Sequence, residues 1–434
     1  MIKHFEKLLN SHLLKSGSGT FYFALVTMIL LPIYHWYLPP FMIAWGVFWI
    51  LEFRTKIPEI KKISAKSKFL FILFLLLFVW QIIGMLYSDN SKDGWRNIVL
   101  RLSLFVFPVV LILPGEKIKN RITFLLQTFT LSTFLFLLIC LGYALFRSIS
   151  IQDGVLVFIP NPAEYPWLNY FYGYELAIFQ HASYLSMYIL FSVFIAIEAY
   201  FDNTIKKKNR TFWLILSIVL FISIYLLSSR AEILAAVISV PVYLIYKLWK
   251  FGRKLYFILL LTVCFIILIP FTISNPRFRY YFNNESKIEI TNKFSDESRI
   301  TIWKAAIQII GNNVLFGVGT GDIQTELNKE YERTGDKNIL PENNLNAHNQ
   351  FLEILLENGL IGLLIFLSVF GIMFYIAISE KNLLYIIFLI IIFISFLFET
   401  MLNRLAGVSF FSLFSFLLIY NNSDRNKILN KPLK

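Results

Sequence analysis

The chain has 434 residues and a net charge of +13, and its composition excludes a soluble domain, because 57% of the residues are hydrophobic and only 15% are charged. Soluble domains average about 45–50% apolar and about 25% charged residues. The apolar residues fall in runs of roughly 17–25, enough to cross ~30 Å of hydrocarbon as a helix, whereas a barrel would show short alternating segments. The sequence therefore predicts an all-α polytopic membrane protein. The positive charge requires no nucleic acid, because most Lys and Arg lie in short loops facing membrane lipids.

In chain order, the apolar runs predict about twelve transmembrane helices with mostly short connections. They cover residues 19–37, 40–53, 67–86, 97–113, 122–145, 176–201, 211–227, 233–246, 255–273, 359–377, 383–400 and 405–420. The connections alternate between segments rich in Lys and Arg and segments poor in both. By the positive-inside rule, this alternation predicts that both termini are cytoplasmic.

Two loops on the outer side of this topology are long. Residues 146–175 are rich in aromatic residues and Pro, which predicts an interfacial segment with Trp and Tyr at headgroup level. Residues 274–347 are mostly polar, and the stretch SRITIWKAAIQII at 298–310 predicts a helix within them. The expected organisation is a membrane bundle over 1–273, a periplasmic loop with short helices over 274–348, C-terminal membrane helices over 349–420 and a cytoplasmic tail over 421–434.

The same topology places several cationic side chains at the outer face. They are Arg230 in a tight loop, Arg299 at the start of the loop helix, Arg101 near the outer end of the fourth span and His181 near that of the sixth. An Arg within a span costs at least about 2.5–3.5 kcal/mol, so each should face protein or water. These residues either bind an anionic substrate or snorkel to the interface and pair with nearby carboxylates, Glu399 among them.

His348 stands immediately before an apolar helical run and is the candidate catalytic residue. The pattern is His348, Asn349, nine residues, Gly359, two residues and Gly362. Asn349 can cap the helix, and the positive end of a helix favours a neutral imidazole that can accept a proton. That end also attracts phosphate, and the two glycines allow another helix to approach closely. A loop histidine can equally be incidental, so the residues alone leave both interpretations open.

The pattern from His348 to Gly362 resembles the signature of the bacterial O-antigen ligase and O-antigen polymerase superfamily. Arg230 followed by Leu234 after three residues, the pieces SRITIWKAAIQII and FGVGTG, and ETMLNRLAGVSFF at 399–411 also look like family blocks in the expected order. The resemblance extends from about residue 181 to the end of the chain. It implies a glycosyltransferase of the C superclass in the bacterial inner membrane, with a periplasmic active site.

The resemblance further implies transfer of a glycan from undecaprenyl diphosphate to an acceptor hydroxyl. In this scheme Arg230 and Arg299 bind the diphosphate, and His348 acts as general base on the acceptor. We add Arg101 and His181 as further substrate-binding candidates. The residue types suit this chemistry, since Arg forks match phosphate oxygens and His can take a proton. Direct attack on the anomeric carbon would invert it and would require neither a metal nor a cofactor.

Four functions stay open from the sequence. An O-antigen ligase would move the glycan onto a lipid A-core sugar, and the spacing around His348 and the late long loop favour it. An O-antigen polymerase would extend the repeat units on the lipid carrier, and a protein O-oligosaccharyltransferase would use a protein hydroxyl. A lipid-linked glycan transporter belongs to a different class. Transporters usually show repeated halves and charged sites at the midplane, and the sequence shows neither pattern.

Overall fold

The computed structural model describes residues 18–33, 35–161, 168–250, 296–334 and 344–421. The predicted span at 255–273 and parts of both long outer loops lie outside these residues. The described chain is almost entirely helical, with one two-stranded sheet, as the composition predicts.

Helices make up nearly all of the elements in both halves of the chain. The first half contains α1 (Ser18–Ile33), α2 (Leu38–Ile60), α3 (Ala65–Met85), α4 (Ser91–Leu100), α5 (Ser103–Ile112), α6 (Glu116–Lys119), α7 (Ile122–Ser148), β1 (Ile149–Gln152) and β2 (Val155–Phe158). The second contains α8 (Gly173–Leu176), α9 (Ala182–Phe201), α10 (Lys207–Leu227), α11 (Arg230–Lys250), α12 (Asp296–Asn312), α13 (Ile323–Thr334), α14 (Gln350–Ser379), α15 (Leu383–Phe398) and α16 (Leu405–Leu417). Short 3-10 helices cover His35–Tyr37, Met401–Asn403 and Leu418–Tyr420.

Eleven of the twelve predicted spans coincide with helices in the described part of the chain. Seven helical segments there are long and apolar enough to cross a membrane. Three shorter apolar helices accompany them, at Gly19–Ile33, Leu383–Phe398 and Leu405–Tyr420. This architecture is that of a polytopic helical membrane protein. The total of twelve spans and the glycosyltransferase C-superclass fold stay predictions.

The fourth predicted span is not one continuous helix. α4 ends at Leu100 and α5 begins at Ser103, with the break at Arg101 and Leu102. The break turns the Arg101 side chain into the bundle, where it is 2% exposed and bonded to Glu357 on α14. Apolar periodicity cannot predict such a break, because the partner of Arg101 comes from a distant helix.

The first of the two long loops contains a hairpin that the sequence pattern does not predict. β1 and β2 pair antiparallel, with Gln152 opposite Val155 next to the turn. Asp153 has a φ of 51° and Gly154 a φ of 76°, and an Asp-Gly pair suits such a tight turn. The hairpin exposes apolar side chains such as Ile151, and the interfacial location of this loop stays a prediction.

An aromatic cluster packs the centre of the bundle. The ring of Phe129 on α7 lies 5.0 Å from that of Phe414 on α16, and Tyr188 on α9 lies 4.8 Å from Phe410. Phe388 on α15 is 5.5 Å from Phe410. Because lipid is as apolar as these rings, close packing rather than burial from water favours such helix contacts. The cluster fixes α15 and α16 against α7 and α9, and so positions the loop between α15 and α16.

α14 is interrupted at Gly359, which has a φ of 64°. At the break, the glycine-rich turn after α12 pairs with the helix backbone. The N–H of Val318 donates to the carbonyl of Leu356 at 2.9 Å, and the N–H of Leu360 donates to Val314 at 2.8 Å. The sequence correctly predicts a close approach at this glycine, but the neighbour is a turn and not a helix. This contact ties α12 and α13 to the end of α14 that precedes the break.

Gly359→Ala is expected to destabilise the protein by about 1–3 kcal/mol, because a positive φ is strained for alanine. In addition, a Cβ at this position would collide with the carbonyl of Leu315. Gly371→Ala in the same helix is the matched control, since a Cβ there meets nothing within 4 Å. The control is expected to be neutral or mildly stabilising. Apparent melting temperatures of the two variants in detergent provide the comparison, and equal values would contradict the prediction.

Candidate functional site

His348 lies at the end of a short segment that α12 and α13 hold in place. Leu345 is 5% exposed and Ala347 is fully buried. The indole N–H of Trp303 on α12 donates to the carbonyl of Ala347 at 2.9 Å, and the hydroxyl of Tyr331 on α13 donates to that of Leu345 at 3.1 Å. The segment before His348 is therefore anchored by both α12 and α13.

Asn349 caps α14, as the sequence predicts. Its Oδ1 accepts hydrogen bonds from the backbone N–H groups of Phe351 at 2.9 Å and Leu352 at 3.1 Å. Its Nδ2 donates to the carbonyl of Leu397, in the last turn of α15, at 3.1 Å. One side chain thus fixes the start of α14 and joins it to the end of α15, which brings His348 close to the residues after α15.

His348 has a φ of 46°, in the left-handed region that residues other than glycine rarely adopt. Such a conformation costs roughly 1–3 kcal/mol and persists only where the surroundings enforce it. The N–H of His348 donates to Oδ1 of Asn346 at 3.1 Å, which is one of the enforcing contacts. This strain is a feature often found at functional sites.

Glu399 brings three of the predicted site residues together. Its Oε2 lies 3.4 Å from Nδ1 of His348, and its Oε1 lies 3.8 Å from Nη2 of Arg299. Ser183 Oγ donates to the same Oε1 at 3.5 Å, and His181 interacts electrostatically with the carboxylate. The side chains of His348, Arg299 and Glu399 are 16%, 25% and 15% exposed, so the cluster is partly open to solvent.

Glu399 carries a negative charge in this cluster. Burial acts to raise the pKa of Glu399, but the hydrogen bond to His348 and the charges of His181, His348 and Arg299 outweigh it. The pKa therefore lies below its ordinary value of 4.5. The ionised carboxylate can hold one ring nitrogen of His348 and can balance the charge of Arg299 at the same time.

This lowered pKa predicts how the stability depends on pH. A carboxyl with a depressed pKa stabilises the fold above its unfolded-state value, and that stabilisation is lost as the pH falls through the folded-state value. We expect the difference in melting temperature between the wild type and Glu399→Gln to shrink as the pH falls below 4.5. Melting curves of both proteins on either side of that pH test the expectation. A difference that stays constant or grows in acid would contradict it.

Arg230 is the first residue of α11 and lies at the same end of the bundle as Glu399. One turn before Glu399, Ser395 Oγ donates to Oε1 of Glu232 at 2.6 Å, which holds the start of α11 against the end of α15. Two residues before this helix start, Ser228 is left-handed with a φ of 52°, and its hydroxyl shares a 2.9 Å hydrogen bond with that of Tyr172. The start of α11, where Arg230 lies, is therefore held near the end of α15 that precedes Glu399.

Arg101 is not part of this cluster. It is 2% exposed, and its Nη1 donates to both carboxylate oxygens of Glu357, at 2.6 and 2.7 Å. Its Nε donates to the carbonyl of Leu402 at 3.3 Å, and its Nη2 donates to Oδ1 of Asn403 at 2.5 Å. All three nitrogens of the guanidinium thus donate hydrogen bonds to groups inside the protein. The interpretation of Arg101 as a substrate contact does not suit this placement, because the side chain offers the substrate no open face.

Glu399 is a site residue that the sequence predicts only as an ion-pair partner of an Arg. Glu399 lies 51 residues beyond His348, so no local spacing connects the two. One feature of the sequence could have indicated its role: Glu399 is the first residue of the stretch ETMLNRLAGVSFF, which looks like a family block.

Comparison with known proteins gives one finding. Residues 215–367 match the model of a family described as O-antigen ligase. The matched range contains Arg230, Arg299 and His348. No curated protein matches the chain. The family match agrees with the resemblance inferred from the sequence over these residues, and members of that family are glycosyltransferase-like ligases and polymerases.

Proposed function

We propose that this protein is an O-antigen ligase of the bacterial inner membrane. It transfers O-antigen glycan from undecaprenyl diphosphate to a sugar hydroxyl of lipid A-core at the periplasmic face. The observation that carries the proposal is the meeting of His348 and Arg299 at Glu399, within and next to the region of the family match. A base and an anion-binding cation lie on either side of one carboxylate, as transfer from a diphosphate to a hydroxyl requires.

The donor half of the site uses the arginines. The diphosphate leaving group needs charge neutralisation, and the planar fork of Arg matches phosphate oxygens in a bidentate manner. Arg299 is a quarter exposed and its contact with Glu399 is long, at 3.8 Å, so the guanidinium can exchange this partner for a phosphate. Arg230 is the second proposed phosphate ligand. His181, which interacts electrostatically with Glu399, is a further proposed ligand of the substrate.

The acceptor half of the site uses His348 as general base. Glu399 accepts a hydrogen bond from the Nδ1–H group of His348, so that Nε2 is left to take the proton from the acceptor hydroxyl. The hydroxyl oxygen forms a bond to the anomeric carbon, while the bond from that carbon to the phosphate oxygen breaks. The electron pair of the broken bond leaves with the diphosphate. Attack from the face opposite the leaving group inverts the anomeric carbon. Glu399 stabilises the imidazolium that results.

The lipopolysaccharide ladder of a deletion strain tests the assignment. A ligase predicts loss of all O-antigen from lipid A-core and accumulation of polymer on the carrier. A single repeat unit on the core would instead identify a polymerase, and loss of glycan from proteins alone would identify a protein glycosyltransferase. Transfer by purified protein in detergent, where no second compartment exists, would exclude a transporter.

The mechanism requires no metal, and we expect chelation to leave the transfer rate unchanged. Within the described residues, no group of three or more His, Cys, Asp and Glu side chains could hold a metal ion. The acidic pair Asp296-Glu297 is the nearest such hint in the sequence, and its side chains lie outside the described part. The transfer rate of purified protein with and without EDTA is the measurement. Strong inhibition that a divalent ion reverses would contradict metal independence and would point to that pair.

A further inference from the structure

A second carboxylate supports His348 from inside the protein. Glu353, in the first turn of α14, is 1% exposed. Its Oε2 accepts a hydrogen bond from the backbone N–H of Ala347 at 3.1 Å, and its Oε1 accepts one from Nδ2 of Asn403 at 2.5 Å. Glu353 therefore connects Ala347, the residue immediately before His348, to the loop that follows Glu399.

The first of these bonds acts on the strained part of the backbone. His348 has a φ of 46°, so the peptide that precedes it must be held firmly for this conformation to persist. The Ala347 residue is held on both sides, since its carbonyl accepts from Trp303 and its N–H donates to Glu353. Without the Glu353 bond, the N–H of this fully buried residue would lack an acceptor, which costs roughly 1–3 kcal/mol.

The second bond fixes Glu353 itself. Asn403 can donate to Glu353 only while its Oδ1 faces the other way, and Nη2 of Arg101 donates to that Oδ1 at 2.5 Å. Arg101 is in turn held by Glu357 at 2.6 Å. A continuous chain of hydrogen bonds thus runs from the break between α4 and α5, through Asn403 and Glu353, to the backbone beside His348.

We infer that Glu353 is a positioning residue for His348, oriented by Asn403 and Arg101. The inference rests on the proposed function, in which His348 is the base. Glu353 holds the backbone in the conformation that aims the imidazole at the Glu399 carboxylate.

The direction of each hydrogen bond makes this inference sharply testable. Both oxygens of Glu353 accept, so Glu353→Gln, which has a single acceptor oxygen, must lose either the Ala347 or the Asn403 bond. Asn403→Asp removes the donor that Glu353 needs and adds a like charge beside it. In the double variant, which combines Glu353→Gln with Asn403→Asp, the roles are exchanged. The new amide at position 353 can donate to the new carboxylate at position 403 and still accept from Ala347. That carboxylate also accepts from Arg101, and the net charge of the pair is unchanged.

The experiment measures glycan transfer by purified protein in detergent, with a polyisoprenyl-diphosphate glycan as donor and lipid A-core as acceptor. We expect each single variant to lower kcat about 10–100-fold, as a misplaced catalytic group does, with the donor KM within about twofold. The double variant should recover most of that loss. Glu326→Gln, a surface carboxylate paired with Lys329 on α13, is the matched control and should behave as the wild type.

The outcomes separate the two proposals. Wild-type kcat in both single variants, alongside an inactive His348→Ala, would overturn the positioning role and leave the proposed function standing. An active His348→Ala would overturn the proposed function itself. If the single variants lose their fold, the double variant decides. Recovery of both the melting temperature and kcat supports positioning, whereas recovery of the melting temperature alone would show a purely structural role and overturn it.

Discussion

Replacement of His348 by alanine is expected to lower the rate of glycan transfer by about 10²–10⁴-fold, the contribution usual for a positioned general base. The nearby His181 does not take its place, because its ring caps α9 by accepting from the N–H of Ser183. Arg299 and Arg230 remain, so donor binding should be largely preserved. The loss is therefore expected in kcat rather than in the donor KM. Transfer by purified protein measures both constants.

A second substitution separates the imidazole from the backbone conformation. Alanine is strained at the φ of 46° that His348 adopts, so His348→Ala combines loss of the base with backbone strain. Asparagine tolerates the left-handed region and cannot act as a base at neutral pH. His348→Asn should therefore keep a melting temperature close to that of the wild type and lose activity as severely as His348→Ala. Full activity in either variant would refute the role of His348 as the base.

Much of the helical framework could be predicted from the sequence, because apolar length and local caps determine it. Ser64 and Asn382 each cap a predicted span by accepting from a backbone N–H three residues later. Asn349 does the same for the helix after His348. These signals are local, so a single sequence contains them. The candidate base and its position at a helix start followed from the same kind of pattern.

The role of Glu399 and the placement of Arg101 depend on contacts between distant parts of the chain, which the sequence does not show. Glu399 faces His348 because α14 and α15 are joined through Asn349 and Leu397, and no spacing in the sequence records that contact. Arg101 was expected at the outer face as a substrate ligand, since a charge near the end of a span usually snorkels to water. Its actual partner, Glu357, lies 256 residues away. Pairing in the interior satisfies an Arg as well as water does, and the sequence does not distinguish the two.

The buried ion pair between Arg101 and Glu357 is expected to contribute strongly to the stability of the fold. Glu357→Ala is expected to destabilise the protein by about 3–5 kcal/mol, because it leaves the Arg101 guanidinium in the interior without its counter-ion. Arg101 and Glu357 are 2% and 0% exposed, so water cannot replace the lost carboxylate. Glu357→Gln should lose less, since the amide oxygen still accepts one of the hydrogen bonds. The apparent melting temperature of each variant in detergent measures the loss.

Glu326→Ala provides the comparison that isolates burial. Glu326 also pairs with a cation, Lys329 at 2.6 Å, but the two side chains are 33% and 64% exposed. An exposed pair contributes about 0–1 kcal/mol, so this variant should melt close to the wild type. Because Arg101 also orients Asn403, Glu357→Ala should lower kcat even at temperatures where the protein remains folded. A Glu357→Ala protein that melts like Glu326→Ala would mean that Arg101 reaches water, and would remove the support for the buried chain that holds His348.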